Sequence, residues 1–388
     1  MTSALLTDLG SPRKNRWLQT VLLMAFLAVL FAPPVAFADD IYTRNHFARF
    51  ACLAILALSV DLIWGYTGLL SLGQGLYFGI GAYAVGYSLA LQKAATAQDL
   101  PFVAAHDMAM PGFMAVMGKL TAVPVWIRPL INIWVALAVA VLLPTLIAAL
   151  FGWLTFRLRI KGVFFALITQ VLILAMYQLV VKYLEFTGGF VGMQGLPWLN
   201  LFGVYQFKDS ADLYYLIAAV LAISFLGCYW LVNSKFGMVL TGIRDNETRV
   251  LAMGYNTALC KTFVFAIAAA MAGMAGALYA AANRTIGPEF FKVDFSIDAV
   301  IFVAVGGRGT LFGAVLGAFL VRYVSTTISD DHPETWRFIL GGLFIAVVLF
   351  LPYGIMGALR TLPNTIRTWS RKRSPEPQPL ESDLPAAP

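Results

Sequence analysis

The chain has 388 residues, of which 60% are hydrophobic and only 12% charged, with 27 Lys and Arg against 20 Asp and Glu. Soluble domains carry about 25% charged residues, so this composition excludes a soluble enzyme or binding module and describes an all-α polytopic membrane protein. The net charge of +7 is spread through short loops and the last thirty residues, which fits membrane topology rather than nucleic-acid binding.

Residues 1–44 form an N-terminal tail and a first apolar segment. Arg13, Lys14 and Arg16 precede the run Trp17 to Leu30, and Ala36-Phe37-Ala38 resembles a signal-peptidase site. We read a retained first span; with or without it the chain emerges outside at Asp39. Hydropathy and length predict about ten transmembrane helices, at 17–36, 47–64, 70–92, 130–156, 162–181, 213–233, 262–282, 296–306, 310–328 and 337–356. Threaded alternately with the N-terminus inside, the inner segments hold 16 of the 27 basic residues but 6 of the 20 acidic ones. Basic residues retained on the cytoplasmic side are the expected bias, so both termini are predicted cytoplasmic. Residues 45–360 form the transmembrane domain, and the Pro-rich polar tail 361–388 reads as disordered.

The stretch "YTGLLSLGQGLYFGIGAYAVGY" (66–87) breaks the pattern of a plain anchor. Interior glycine costs about 1 kcal/mol of helix propensity relative to alanine. Small residues let membrane helices approach closely, and Gly75-x-x-x-Gly79 and Gly309-x-x-x-Gly313-x-x-x-Gly317 have that spacing. Packing does not account for Thr67, Ser71 and Gln74, nor for Thr187 and Gln194 in "TGGFVGMQG". Irregular backbone at membrane depth is tolerated against protein or a watery cavity, and glycine-interrupted segments in both halves point to a translocation path. These five polar residues are the candidate lining. Asp61, an ionisable residue near the inner end of the second span, is either functional or capped. Asn283 and Arg284 end the seventh span on the outer side, and Arg308 reads as an inner-loop anchor.

No enzyme signature is found. "GFMAVMGKL" (112–120) fails the phosphate-binding loop spacing and has Leu120 where Ser or Thr belongs. His46, His106 and His332 make no metal spacing, and Cys52, Cys228 and Cys260 sit in or beside apolar runs. No catalytic residue, metal or cofactor is assigned to this chain.

The inner loop 234–261, "SKFGMVLTGIRDNETRVLAMGYNTALCK", carries Phe236, Val239, Leu240 and Ile243 at i, i+3, i+4 and i+7. They share one helix face. A turn-prone "RDNE" and a second short helix follow. Such a loop either lies on lipid or docks into a groove on a partner; Asp245 and Glu247 disfavour an anionic lipid surface.

This loop resembles the EAA-type coupling loop of ABC importer permeases of the branched-chain amino-acid and urea class. Gly237, Ile243-Arg244-Asp245-Asn246-Glu247, Ala252, Gly254 and Lys261 carry the resemblance, with residues 61–86, 187–197 and 303–320. It implies a permease subunit of an ATP-driven importer in the bacterial inner membrane. The implied partners are a second homologous permease, two ABC ATPase subunits, a periplasmic binding protein and membrane lipid. Phe236, Val239, Leu240, Ile243, Arg244, Asp245 and Glu247 would couple it to ATP hydrolysis on those separate subunits. "DLIWGY", "VAVGGRGTL" and residues 333–357 look most like the urea permease, so urea or a short amide is the expected solute, although urea-type sequences commonly carry His where this chain has Gln74. Branched-chain amino-acid import is the runner-up, and an ATP-independent channel or secondary transporter is the rival in another class.

Overall fold

A computed structural model of the chain describes residues 40–96, 110–117, 123–160, 162–199, 207 and 210–331, with 341–342, 345, 349 and 354–357 beyond them. The expected first span, most of the tenth, both termini, His106 and His332 lie outside the described residues.

The elements are helical: α1 (Ile41–Thr67), α2 (Gln74–Thr96), α3 (Gly112–Met117), α4 (Ile133–Arg157), α5 (Val163–Lys182), α6 (Leu184–Thr187), α7 (Ser210–Asn233), α8 (Lys235–Ala252), α9 (Thr257–Asn283), α10 (Val293–Gly306) and α11 (Leu311–Asp331). Short 3-10 turns cover Arg128–Ile131 and Pro288–Phe291. Side-chain caps start several helices, Asp40 accepting from the Thr43 amide, Asn132 from that of Trp134 and Asn256 from that of Leu259. Each satisfies an amide that the first turn would leave unpaired.

Six of these helices are long and apolar enough to cross a membrane: α1, α4, α5, α7, α9 and α11. Eight of the ten expected spans coincide with helices, but two of the eight are not ordinary spans. α2 has the length, yet its glycines and Gln74 dilute its apolar content. α10 has 14 residues, a rise of about 21 Å against a hydrocarbon core of about 30 Å. It cannot cross alone.

α1 and α9 form the centre. α9 packs along α2, α4 and α1, while α1 is also covered by α7, α11 and α10. Small side chains make this possible: Ala51, Cys52, Ala54 and Ala57 on α1, and Ala268, Ala269, Ala272 and Ala275 on α9, are fully buried. α4 and α5 present long apolar flanks outward, with Leu146, Leu150, Phe164 and Val171 exposed, the surface a lipid or a partner span covers. Gly313 and Gly317 of α11 meet the backbone of α10 at Gly306 and Phe302. Gly309 departs from the expected helix packing. It precedes α11, in a turn with φ +73°, so it belongs to the loop.

Candidate functional site

α1 and α9 are antiparallel. Arg49, near the start of α1, donates to Asn283 at the end of α9 (3.2 Å), and Arg244, from the loop before α9, donates to the Gly65 carbonyl at the end of α1 (2.8 Å). Each 27-residue helix rises about 40 Å, and each is followed by a break in the α-helical backbone, 68–73 after α1 and 284–292, with its 3-10 turn, after α9. These breaks start from opposite ends of the bundle, yet the first turn of α2, just past the first break, reaches the second break and the start of α10. The Gly75 amide donates to the Ser296 hydroxyl (3.0 Å), and Gly75 lies against the Phe290 carbonyl. Both breaks therefore turn inward. Thr169 of α5 pins the first one, accepting from the Leu72 amide at 3.1 Å. Hydroxyls replace the ladder partners that the unwound backbone has lost, as irregular backbone at depth requires.

Gln74 and Tyr77 occupy the first turn of α2. Gln74 is 0% exposed and Tyr77 1%. Gln74 Oε1 and Nε2, and the hydroxyls of Tyr77 and Tyr83, have no hydrogen-bond partner. A buried polar group without a partner costs about 1–3 kcal/mol, so these side chains carry a cost that packing alone does not offset. Two aromatic layers bracket them. On one side Phe78 lies 5.3 Å from Phe290 and 4.9 Å from Phe295. On the other Tyr77 stands 5.7 Å edge-on to Phe265, which also packs on Phe165 and Phe156.

The other expected lining residues separate from this pair. Ser71 is buried in the break and accepts from the Gly73 amide (3.4 Å). Thr67 closes α1, donating to the Ile63 carbonyl (2.6 Å). Thr187 and Gln194 lie in the 187–195 loop. The Thr187 hydroxyl accepts from the Gly189 amide (3.1 Å), and Gln194 is exposed. This loop is stitched to the outer break by the paired Met193 and Ile286 backbones (2.7 and 2.9 Å) and by Arg284, which donates to the Leu196 carbonyl and stacks on Trp198. Arg49, Asn45, Asn283, Arg284 and Trp198 line an open outer cavity of about 540 Å³. Sequence reasoning does not reach Tyr77, Tyr83, Thr169 or Ser296. A tyrosine or hydroxyl in an apolar helix reads as core until its neighbours are known.

Near the C-terminal end of α1, Asp61 is fully buried and accepts from the Gly309 amide (2.7 Å). Its other oxygen has no partner, and Arg308 and Arg244 act on it electrostatically. Arg308 donates to the Trp64 carbonyl (2.9 and 3.1 Å) and lies over the Trp64 ring. Two cations thus sit on the terminal carbonyls of α1, where the helix dipole favours them. Asp61 is a cap for the 307–310 turn. Asp61→Asn, which keeps the accepting oxygen, is expected to leave the unfolding temperature in detergent almost unchanged, whereas Asp61→Leu should cost about 1–3 kcal/mol.

α8 follows. Its helical hydrogen bonding continues past Asn246, but that residue itself is non-helical (φ −158°, ψ 94°). Its side chain accepts from the Arg249 amide (3.0 Å) and starts a second helical segment, so the expected break in "RDNE" is present. The apolar face is turned into the bundle itself. Leu240 and Ile243 are buried, and Phe236 packs edge-on to Phe263 of α9 at 5.5 Å. Val239 is half-buried. Arg244 holds Gly65 and also pairs with Asp245 (3.1 Å). Glu247 accepts from Lys261 Nζ (2.6 Å) and the Thr257 hydroxyl (3.1 Å) at the start of α9. What faces outward is Met238, Leu251, Met253 and Tyr255. Grooves of about 470 and 430 Å³ flank the helix, the first against Trp153 and Arg157 of α4, the second lined by Met238, Asp245, Arg249, Met253 and Tyr255.

A sequence profile described as "Branched-chain amino acid transport system / permease component" matches residues 42–348. The chain is 26% identical over 367 residues to the high-affinity branched-chain amino acid transport system permease protein LivM of Salmonella typhimurium, covering 88% of this chain and 76% of that one. The protein of the same name from Escherichia coli is 26% identical over 328 residues, 79% of this chain and 68% of that one. The ribose import permease protein RbsC of Haemophilus influenzae is 21% identical over 266 residues, 64% and 76% respectively. No solved structure matches. The profile spans α1 through α11, including the two breaks and the bent helix α8, and the chain belongs to the family of branched-chain amino acid transport system permease components.

Proposed function

We propose that this chain is a permease subunit of an ATP-driven importer in the bacterial inner membrane, and that its cargo is a branched-chain amino acid. A second permease, two ABC ATPase subunits and a periplasmic binding protein complete the machine, and the solute crosses by alternating access. The names carried by relatives that align over most of the chain favour this cargo over urea.

The observation that carries the coupling role is the build of α8. Its apolar face and its ion pair bind it to the bundle, so a push on α8 acts on α1 through Arg244 and on α9 through Glu247 and Lys261. Those are the two helices that lead into the inner and outer breaks. Closure of the ATPases would therefore reach the layer around Gln74 from both sides at once. Contact with the ATPase belongs to the outward residues Met238, Leu251, Met253 and Tyr255, with exposures of 66, 43, 66 and 51%. Leu240, at 0%, acts as the root of the handle rather than its grip.

Exchanging Leu251 and Met253 together for Asp tests this. Exposed substitutions away from the core shift stability by about 0.5 kcal/mol or less, so the unfolding temperature should hold while co-purification of the ATPase subunits falls at least tenfold. Retention of the ATPases by this variant would remove α8 as the docking element. Uptake in vesicles driven by a solute gradient alone, without nucleotide, would favour the channel or secondary-transporter class instead.

A further inference from the structure

We propose that Gln74 and Tyr77 form an occluded subsite for the head group of an aliphatic amino acid in transit, the Phe265 side of the layer receiving the alkyl side chain; the proposal rests on the import reading above. Three polar atoms of these two residues are without partners, and both side chains are almost wholly buried. They stand at i and i+3, so they face the same way on the first turn of α2. A position filled by nothing but packing would carry an apolar side chain here, as the neighbouring Leu76 and Phe78 do.

The unmet groups have the chemistry of a zwitterion. Gln74 Nε2 and the Tyr77 hydroxyl each donate, which suits a carboxylate; Gln74 Oε1 accepts, which suits an ammonium. The site lies at the N-terminus of a 23-residue helix, whose dipole favours negative charge. Half-helix N-termini inside a bundle serve anionic groups of transported solutes for this reason. The ring of Phe265, 5.7 Å from that of Tyr77, and Ile173 beside Gly75 supply an apolar wall that an alkyl side chain can use and urea cannot. Aromatic layers on both sides keep bulk water from satisfying the same atoms, so the partner arrives with the solute. Proton transfer is not involved, because an amide and a phenol bind both head-group charges without titrating near neutral pH.

The test uses the importer assembled with its partner subunits and binding protein in proteoliposomes, with labelled leucine as probe and urea and leucinamide as competitors. Gln74→Leu with Tyr77→Phe is expected to reduce ATP-driven leucine uptake at least tenfold, while leucine binding to the binding protein is unchanged. The unfolding temperature of the same double variant should stay level or rise, because the unpaired atoms are gone. Gln74→His, which restores one donor and one acceptor, should recover part of the uptake. Unchanged uptake in the double variant overturns the subsite, as does a fall in uptake matched by a fall in unfolding temperature, which would make the pair structural. Inhibition by urea as strong as by leucine overturns the carboxylate assignment. A wild-type importer that moves no leucine overturns the import reading instead, and the unfolding temperature still judges the subsite, since a drop in the double variant would mean that both groups are paired.

Discussion

Replacing Lys261 with methionine is expected to be among the most destabilising single changes at the α8 end of the protein. The Lys261 and Glu247 side chains are 5 and 17% exposed and their charged atoms lie 2.6 Å apart. Removing the cation takes the nearest countercharge from a partly buried carboxylate, which the Thr257 hydroxyl still donates to. Breaking a buried ion pair in this way costs about 3–5 kcal/mol. The loss should be local first: α8 loosens from α9, and protease cleavage between 245 and 256 accelerates before the bundle unfolds. Lys261→Met with Glu247→Met removes both charges and is expected to recover most of the stability, because an apolar pair of similar volume often replaces a buried ion pair at little cost. ATP-driven uptake should not recover with it, since the link from α8 to α9 is then a contact without direction. A single variant within about 1 kcal/mol of wild type by thermal unfolding in detergent would show that this pair does not hold the loop.

Gly276→Val is expected to separate the two helices on which the candidate site depends. Gly276 of α9 sits against the Phe78 carbonyl of α2, and Gly81 of α2 sits against Gly273 of α9. Any Cβ at 276 overlaps a backbone carbonyl, which cannot rotate aside as a side chain would. Overpacking a core typically costs about 1–3 kcal/mol, and here the obstacle is rigid, so the upper end of that range is expected, read as a lower unfolding temperature and lower yield of folded protein. Gly227→Ala on α7 is the control. Nothing lies within 4 Å of a Cβ there, and alanine is favoured over glycine in a helix interior by about 1 kcal/mol. It should stabilise. If both substitutions had the same sign, the α2–α9 seam would not be the tight contact described.

The differences between sequence and structure share a cause. The periodicity of Phe236, Val239, Leu240 and Ile243 is enough to define a helix with one apolar face. It cannot say whether that face meets a partner or the chain's own spans, because an amphipathic pattern is the same for both. Arg244 and Glu247 are legible as important charges, but their partners, a carbonyl at Gly65 and an amine at Lys261, are distant or across a turn. Gln74 stands out as an amide in an apolar stretch, while Thr169 and Ser296 give no signal, since a lone hydroxyl in a span ordinarily bonds its own helix. Thr187 and Gln194 share the glycine-rich character of the 66–87 stretch, which is why pattern alone groups them with it. Their glycines serve a surface loop, with positive φ at Gly188, Gly189, Gly192 and Gly195.

By itself the sequence determined that the chain is a helical membrane protein with most of its spans where hydropathy puts them, that the loop 234–261 bends at "RDNE", and that it has the motifs of an importer permease. These follow from local quantities: transfer free energy summed over a window, helical spacing, and residue types at fixed offsets. Only the tertiary structure decided that the start of α2 meets the break after α9, that α10 is too short to cross, that the apolar face of α8 is spent inward, and that Gln74 and Tyr77 are enclosed without partners. Each of those depends on which groups, far apart in the chain, end up within a few ångströms, and in a bundle of similar apolar helices nearly every pairing satisfies the local rules equally well.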